Sequence, residues 1–390
     1  MPIAFHWFLP TNGDGRRLVE PAAPVPGTAG GARPATFGYL TQIALAAEEF
    51  GFEGALTPTG AWCDDAWITT AALAQRTERL KFLVAFRPGA ISPTLAAQMA
   101  ATYQFHTGGR LLLNVVTGGD SAEQNAYGDW LDKEGRYARC AEFLQIVRGL
   151  WTGGTVDFEG EHLHVAGGAI GRVPDPLPEI YFGGSSPAAL DVAARHVDAY
   201  LTWGEPPDLV AEKIGRVREL AAEHGRTVRF GIRLHVVSRD TAAEAWAEAE
   251  KLLDGISEEE IAKVHARMQT TQSEGQRRML ELHGGSRTNL EVSPNLWAGV
   301  GLARGGAGTA LVGSHEEVAD RIEEYAAIGL DEFILSGYPH LEELYWFGEG
   351  VLPLLEARGA WQRPVGLAEG MRTGSIDAGG VSFGVVPDRR

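Results

Sequence analysis

The chain has 390 residues, 44% hydrophobic and 22% charged, which is ordinary globular composition with ample material for a large core. Its formal charge of −17 sets it against nucleic acid and anionic membranes as partners, so an anionic substrate would need local arginines of its own. Two cysteines, Cys63 and Cys140, exclude a disulfide framework or a cysteine-rich metal site; no apolar run reaches the ~18–20 residues of a membrane span; the N-terminus lacks a signal-peptide pattern; a cytoplasmic protein is expected.

Taken in order, Ile3 to Leu9 is a short apolar run closed by Pro10 and Gly13, a first buried strand. Residues Arg16 to Ala35, rich in Pro, Gly and Ala, predict a long loop. Leu40, Ile43, Ala44, Ala47 and Phe50 recur at helical spacing until Gly51. Glu53 to Leu56 is the second strand. Asp65 to Gln75 is a helix, and Leu80 to Phe86 the third strand. Ser92-Pro93 caps a helix that runs to His106, and Leu111 to Val116 is the fourth strand. Arg136 to Leu150 is an amphipathic helix. Thr155 to Val165 is a small hairpin. Ile180 to Phe182 and Ala199 to Thr202 are the fifth and sixth strands. Phe230 to Val237 is the seventh, followed by a capping box, Thr241-x-x-Glu244. Glu258 to Leu282 predicts one strongly charged helix. Ala310 to Val312 leads into a second capping box, Ser314-x-x-Glu317, and Glu332 to Leu335 is the last strand.

Short continuous apolar strands alternating with helices are the pattern of a parallel sheet covered by helices. About eight such units predict an α/β fold of the (β/α)8 TIM-barrel type. The barrel is expected over 1–352, with a hairpin insertion near 154–166, a mobile lid near 257–309 and a C-terminal extension over 353–390. A dinucleotide fold is disfavoured: Gly299-x-Gly301 does not join a strand to its helix.

Active sites of such barrels lie at the C-terminal strand ends. Asn12, Cys63, Thr117, Asp120, Trp203, Tyr338 and His340 all follow strands, and their agreement at one rim weighs more than any one of them. Arg233 and His235 alternate onto one face of the seventh strand. A buried guanidinium beside an imidazole needs a partner, either a structural carboxylate or a bound anion. Gly183-Gly184-Ser185-Ser186-Pro187 offers backbone approach and free N–H groups at a helix start, suited to phosphate; a capped helix would need only Ser186-Pro187. Arg304, among small residues from Gly301 to Gly308, is either a charge carried over a ligand by a mobile loop or a solvated loop residue. Cys63 has no local histidine to make it a nucleophile and is expected to line the site; Cys140 is expected in the core. His162 and His164 are too few for a metal site, and none is expected.

Several stretches resemble the FMNH2-dependent alkanesulfonate monooxygenases among the bacterial-luciferase-like flavin enzymes. They include Phe8-Leu9-Pro10-Thr11 with Gly13-Asp14-Gly15, Cys63-x-Asp65-Ala66-Trp67, Tyr181 to Ser186, Leu201 to Pro207, Phe230 to His235, Ser293 to Gly299 and Leu335 to Leu341. The resemblance spans roughly residues 3 to 350 and implies a homo-oligomeric barrel. It is fed reduced FMN by a separate NAD(P)H-dependent flavin reductase and uses O2 to cleave an organosulfonate into sulfite and an aldehyde. Carried over by motif, Arg233, His235, Arg304, Tyr338 and His340 line the catalytic site with Trp203 and Cys63. Thr117, Tyr137, Gly184, Ser185 and Ser186 match flavin contacts. Permanent cations suit a sulfonate, which stays ionised at working pH, while His235 or His340 is the expected proton carrier.

Two departures concern the substrate. Asn12 stands where the family usually has histidine, and Ala61-Trp62 replaces a more polar pair. These admit, beside a linear alkanesulfonate, a hydroxyl-rich sulfo-sugar such as sulfoquinovose. The rival readings are a deazaflavin-dependent hydride-transfer oxidoreductase of the same fold and a non-catalytic sulfonate-binding protein.

Overall fold

The computed structural model describes residues 2–18 and 33–364. Most of the expected loop over 16–35 and the end of the expected C-terminal extension therefore lie outside the described residues.

Eight parallel strands close a barrel: Ala4–Phe8, Gly54–Thr57, Lys81–Phe86, Leu111–Val115, Glu179–Gly183, Ala199–Trp203, Arg229–Arg239 and Glu332–Ser336. Each pairs with the next, and the eighth returns to the first through Ala4↔Glu332 and Phe5↔Phe333. Side chains alternate along each strand. Phe5, Trp7, Phe82, Val84, Ile232, Leu234 and Phe333 face outward into the main core under the helices. Phe8, Leu56, Leu83, Leu112, Tyr181, Leu201 and Ile334 fill the barrel interior. Beneath that apolar layer lies an ionic floor, buried at His6 and Glu332 and part-exposed at Arg229 and Glu179. Glu332 accepts from His6 (3.0 Å) and Arg229 (2.9 Å), and Arg229 also pairs with Glu179 at 2.8 and 2.9 Å. Burial alone would raise the Glu332 pKa, but His6 and Arg229 hold it down at about 2. Gly54 makes room for this floor, since a Cβ there would lie 2.9 Å from His6 Nδ1.

The seventh strand is the longest, with 11 residues. Its first half pairs with the sixth strand up to Trp203↔Arg233. From His235 onward the same edge pairs with an additional parallel strand, Ala310–Ser314. Between them runs an insertion with its own small core, in which Val237, Ala245, Leu252, Ile261, Trp297 and Val312 pack together. The single charged helix expected over Glu258 to Leu282 is two, Glu258–Gln269 and Glu274–His283. Ser257 and Ser273 each cap a helix start, the first in a capping box with Glu260. Ser273 is a cap rather than an interior helical residue because its hydroxyl accepts from the Gln276 N–H.

The hairpin joins Val156–Glu159 to His164–Gly168. Glu142 holds its turn by accepting from the N–H groups of Glu161 (2.7 Å), His162 (3.0 Å) and Leu163 (2.8 Å). His164 bonds Gly160 O, and no group of three potential metal ligands occurs among the described residues. After Val351, the helix Leu352–Ala357 and Trp361 pack into the main core. Among the described residues no helix is long and apolar enough to cross a membrane.

Candidate functional site

The alternation that buries Ile232 and Leu234 outward turns Arg233 and His235 into the barrel mouth. Arg233 is 7% exposed and stands with its guanidinium 4.8 Å from the Phe8 ring centroid. Its protein partners are neutral: Leu234 O at 2.5 Å, Ile334 O at 3.4 Å and Ser336 Oγ at 2.8 Å. Burial and the nearby Arg304 push its pKa down to about 9, which leaves it a cation at neutral pH. Arg304 reaches the same mouth from the insertion and donates to the Tyr338 hydroxyl. Among the described residues no carboxylate pairs with either arginine, whereas Arg139, Arg229, Arg239 and Arg278 are all paired. The Arg304 loop is anchored: the Gly306 N–H donates to Gln276 Oε1 on the helix Glu274–His283 at 2.9 Å.

His235 has no free nitrogen. A carbonyl can only accept, so Nε2 carries the proton it shares with Ala307 O at 3.1 Å. Nδ1 then accepts from Ser336 Oγ at 2.7 Å, and Ser336 in turn accepts from Arg233. The Tyr338 ring stacks on the imidazole, centroids 5.5 Å apart. Burial and the charges of Arg233 and Arg304 hold its pKa well below 6.5, so His235 is neutral and positions Ser336 and Arg233 rather than carrying protons. The unfolded chain binds a proton here below pH 6.5 and the fold does not. Stability should therefore fall as pH drops below about 6.5, by up to ~1.4 kcal/mol per pH unit from this one residue. Urea titrations between pH 7 and 5 should show that His235→Asn removes this part of the slope.

His340 differs. It is 3% exposed, its Nδ1 lies 2.8 Å from Asp14 Oδ1, and its Nε2 is buried without a partner. The ring lies against Tyr338 (5.2 Å) and Phe8 (5.8 Å), and Phe8 is the ring over which Arg233 sits. Asp14 was missed as a site residue, although it stands inside the quoted Gly13-Asp14-Gly15 motif. Ser336 and Phe8 were also missed; strand alternation alone would have placed both in the mouth beside Arg233.

Asn12 is half-buried in the turn after the first strand, and Cys63 lies beside its neighbour Thr11. Burial pushes the Cys63 thiol up to about 11, so it is a neutral group. Cys140 is fully buried in the core, its thiol pushed up to about 12.

The second cluster surrounds the helix Pro187–His196. Ser186 caps it, accepting from Ala189 N at 3.4 Å, so its hydroxyl is partly spent on the helix. Gly184 cannot carry a side chain: a Cβ would lie 2.7 Å from Ala189 Cβ and 3.3 Å from the Tyr137 hydroxyl. Tyr200 fixes the loop by donating to Gly184 O at 2.6 Å. The helix Glu274–His283 roofs this cradle. At Gly275 a Cβ would be 3.2 Å from the Trp203 ring and 3.7 Å from Ser185 Oγ. Gln272 N donates to Gly119 O (3.3 Å), close to Thr117 on the loop after the fourth strand. The two clusters meet at Trp203, which pairs in register with Arg233 on one side and lies under Gly275 on the other.

Comparisons with known proteins bear on this geometry. The profile of the Luciferase-like monooxygenase family matches residues 3–332. Riboflavin lyase, solved with modified FMN and its substrate riboflavin, is 20% identical, with 93% of each chain covered and a TM-score of 0.76. EDTA monooxygenase from Chelativorans sp. BNC1 is 19% identical over 93% of this chain and 96% of that one, with a TM-score of 0.73. An F420-dependent secondary alcohol dehydrogenase, in complex with an F420-acetone adduct, is 18% identical over 90% and 99%, with a TM-score of 0.65. At such identities the structures share the fold.

Proposed function

The chain belongs to the luciferase-like monooxygenase family, and from that premise we propose that it is a flavin-dependent monooxygenase that desulfonates an organosulfonate. The observation that carries this reading is the pair Arg233 and Arg304, two cations at one mouth that no carboxylate among the described residues pairs with. Permanent bidentate donors of this kind match an anion that stays ionised at every working pH.

The residues fit FMN. A phosphate would be held at the Gly184-Ser185 cradle by backbone N–H groups, with Tyr137 and Ser185 hydroxyls at its edge and Thr117 across the mouth. Bound in reduced form, FMN supplies the two electrons that activate O2. The protein's own contribution is binding, orientation and proton handling. Arg233 and Arg304 hold the sulfonate oxygens, and Ser336 and Tyr338 fix the two guanidinium groups. The roof formed by Gly275 over Trp203 keeps water from the reacting centre. In the overall change the carbon bearing sulfur loses one C–H proton and its C–S bond and gains oxygen. One O2 and one reduced FMN would be consumed, and the products are an aldehyde, sulfite, oxidised FMN, water and one proton. His340 Nε2 is the acceptor for that proton.

In this reading the reduced flavin comes from a separate NAD(P)H-dependent reductase and the enzyme works as a homo-oligomer. Asn12, Cys63 and Trp203 line the substrate's far end, where an amide that both donates and accepts suits a hydroxyl-bearing chain such as a sulfo-sugar. Incubation with reduced FMN, O2 and either octanesulfonate or sulfoquinovose tests this. Sulfite should appear only with oxygen present. Absence of sulfite from every sulfonate tried would sink the reading. Turnover that persists without oxygen on a deazaflavin would favour a hydride-transfer oxidoreductase instead.

A further inference from the structure

We propose that Asp14 is a positioning residue that locks His340 in the tautomer with its proton on Nδ1, leaving the Nε2 lone pair to face the reaction chamber. The role of that lone pair in turnover rests on the function proposed above; the tautomer itself rests on geometry alone.

Asp14 is 2% exposed, and its two oxygens take four hydrogen bonds. Oδ1 accepts from Gly15 N at 2.8 Å and from His340 Nδ1 at 2.8 Å. Oδ2 accepts from His340 N at 2.8 Å and from the Tyr39 hydroxyl. Burial by itself would raise its pKa; the hydrogen bonds it accepts from the His340 ring and backbone and from the Tyr39 hydroxyl work against that and favour the ionised carboxylate. An ionised carboxylate only accepts, so the Nδ1 facing it must carry a proton. In the neutral ring Nε2, on the opposite edge, is then the lone pair, and it is the ring nitrogen with no partner. His235 is locked in the opposite sense by Ala307 O. Two histidines at one mouth thus hold complementary tautomers, and only His340 presents an open base.

The clamp continues outward. Asp14 and Arg33 form an isolated antiparallel bridge, with Asp14 N to Arg33 O at 2.8 Å and Arg33 N to Asp14 O at 2.9 Å. Arg33 is within 3.4 Å of the Tyr39 hydroxyl and grips Glu342 with two nitrogens. Glu342 lies two residues after His340, so the ring's own backbone is tied to the same cluster. Tyr39, Arg33 and Glu342 also line an outer groove of ≈ 550 Å³ beside Tyr345 and Trp346. The orientation of the catalytic imidazole is therefore set from outside the barrel.

Long-range proton–nitrogen NMR on protein labelled with 15N-histidine reads the tautomer directly, with a His340→Gln variant assigning the signal. The wild-type ring should show a protonated Nδ1 and an unprotonated Nε2. Asp14→Asn should lose that signature and lower kcat on the order of 10²- to 10⁴-fold, as in other Asp–His pairs that lose the correct tautomer. Substrate KM should stay within about threefold, because the arginines that bind the anion are untouched. Tyr39→Phe, which keeps the packing, should lower kcat about tenfold and shift the same resonances. A wild-type His340 protonated on Nε2 would overturn the proposal, as would an Asp14→Asn protein with unchanged resonances and kcat. The resonances need neither flavin nor sulfonate. Absence of sulfite with the expected tautomer present would fault the proposed function and leave the positioning intact. Should Asp14→Asn fail to fold, the wild-type tautomer and Tyr39→Phe decide the matter.

Discussion

Replacing Arg233 by alanine is expected to lower kcat/KM for a sulfonate by on the order of 10³-fold or more. That corresponds to about 4 kcal/mol of lost anion stabilisation at ~1.4 kcal/mol per factor of ten. The guanidinium is buried, charge-assisted in its contacts and aimed where Arg304 also points, so no neighbour can substitute for it. The same variant should not be destabilised in proportion. A buried cation whose protein partners are two carbonyls and a hydroxyl costs the fold desolvation energy that it does not recover until an anion binds. Arg233→Met keeps the packing over Phe8 and should lose as much activity while its Tm rises. Sulfite release and thermal melts on the two variants check this. Retained turnover in Arg233→Ala would mean that the substrate carries no anion at this position. A large fall in Tm for Arg233→Met would mean that the arginine is structural.

The second large effect falls on stability. Glu205 is 1% exposed and accepts from Lys213 Nζ (2.8 Å), Arg278 Nε (2.8 Å) and Arg278 Nη2 (2.5 Å). Lys213 lies on the helix Pro207–Glu223 after the sixth strand, and Arg278 lies on the helix Glu274–His283, which roofs the cradle. Glu205→Gln leaves a buried lysine without its counter-charge, and the loss should be roughly 3–5 kcal/mol in urea unfolding. Burial would raise the Glu205 pKa, but Arg278 and Lys213 hold it below 4.5. Its contribution is therefore present above pH 4.5 and lost as pH falls, so wild type and variant should converge in acid. Arg278→Ala removes only the lid side of the tie. It should cost less stability, yet uncouple flavin oxidation from sulfite release by loosening the roof over Trp203. Equal coupling in Arg278→Ala and wild type would show that this tie does not hold the roof.

Much of the barrel was legible because its signals are local. Apolar runs such as Leu80 to Phe86, the cap at Ser92-Pro93 and the capping boxes at Thr241 and Ser314 lie within a few residues of the elements they start, and each appears in the structure as such. The insertion was less legible. A charged segment gives helical periodicity across a break, and Ser273 declares itself a cap only when its hydroxyl finds the Gln276 N–H. The anchoring of the Arg304 loop had no signal at all, because it depends on Gln276, 30 residues before the Gly306 it holds.

The sequence by itself determined which residue types reach the mouth. Period-two alternation puts Arg233 and His235 on one face of a strand, and glycine and proline punctuation puts Tyr338 and His340 just past another. Only the tertiary structure decided what each of them does there. Whether a histidine is a base or a fixed support depends on which nitrogen is spent and on what. Ala307, 72 residues from His235 in the chain, spends Nε2 of one; Asp14, 326 residues from His340, spends Nδ1 of the other. Hydrogen-bond direction and desolvation are properties of neighbours brought together by folding, and a linear pattern does not carry them.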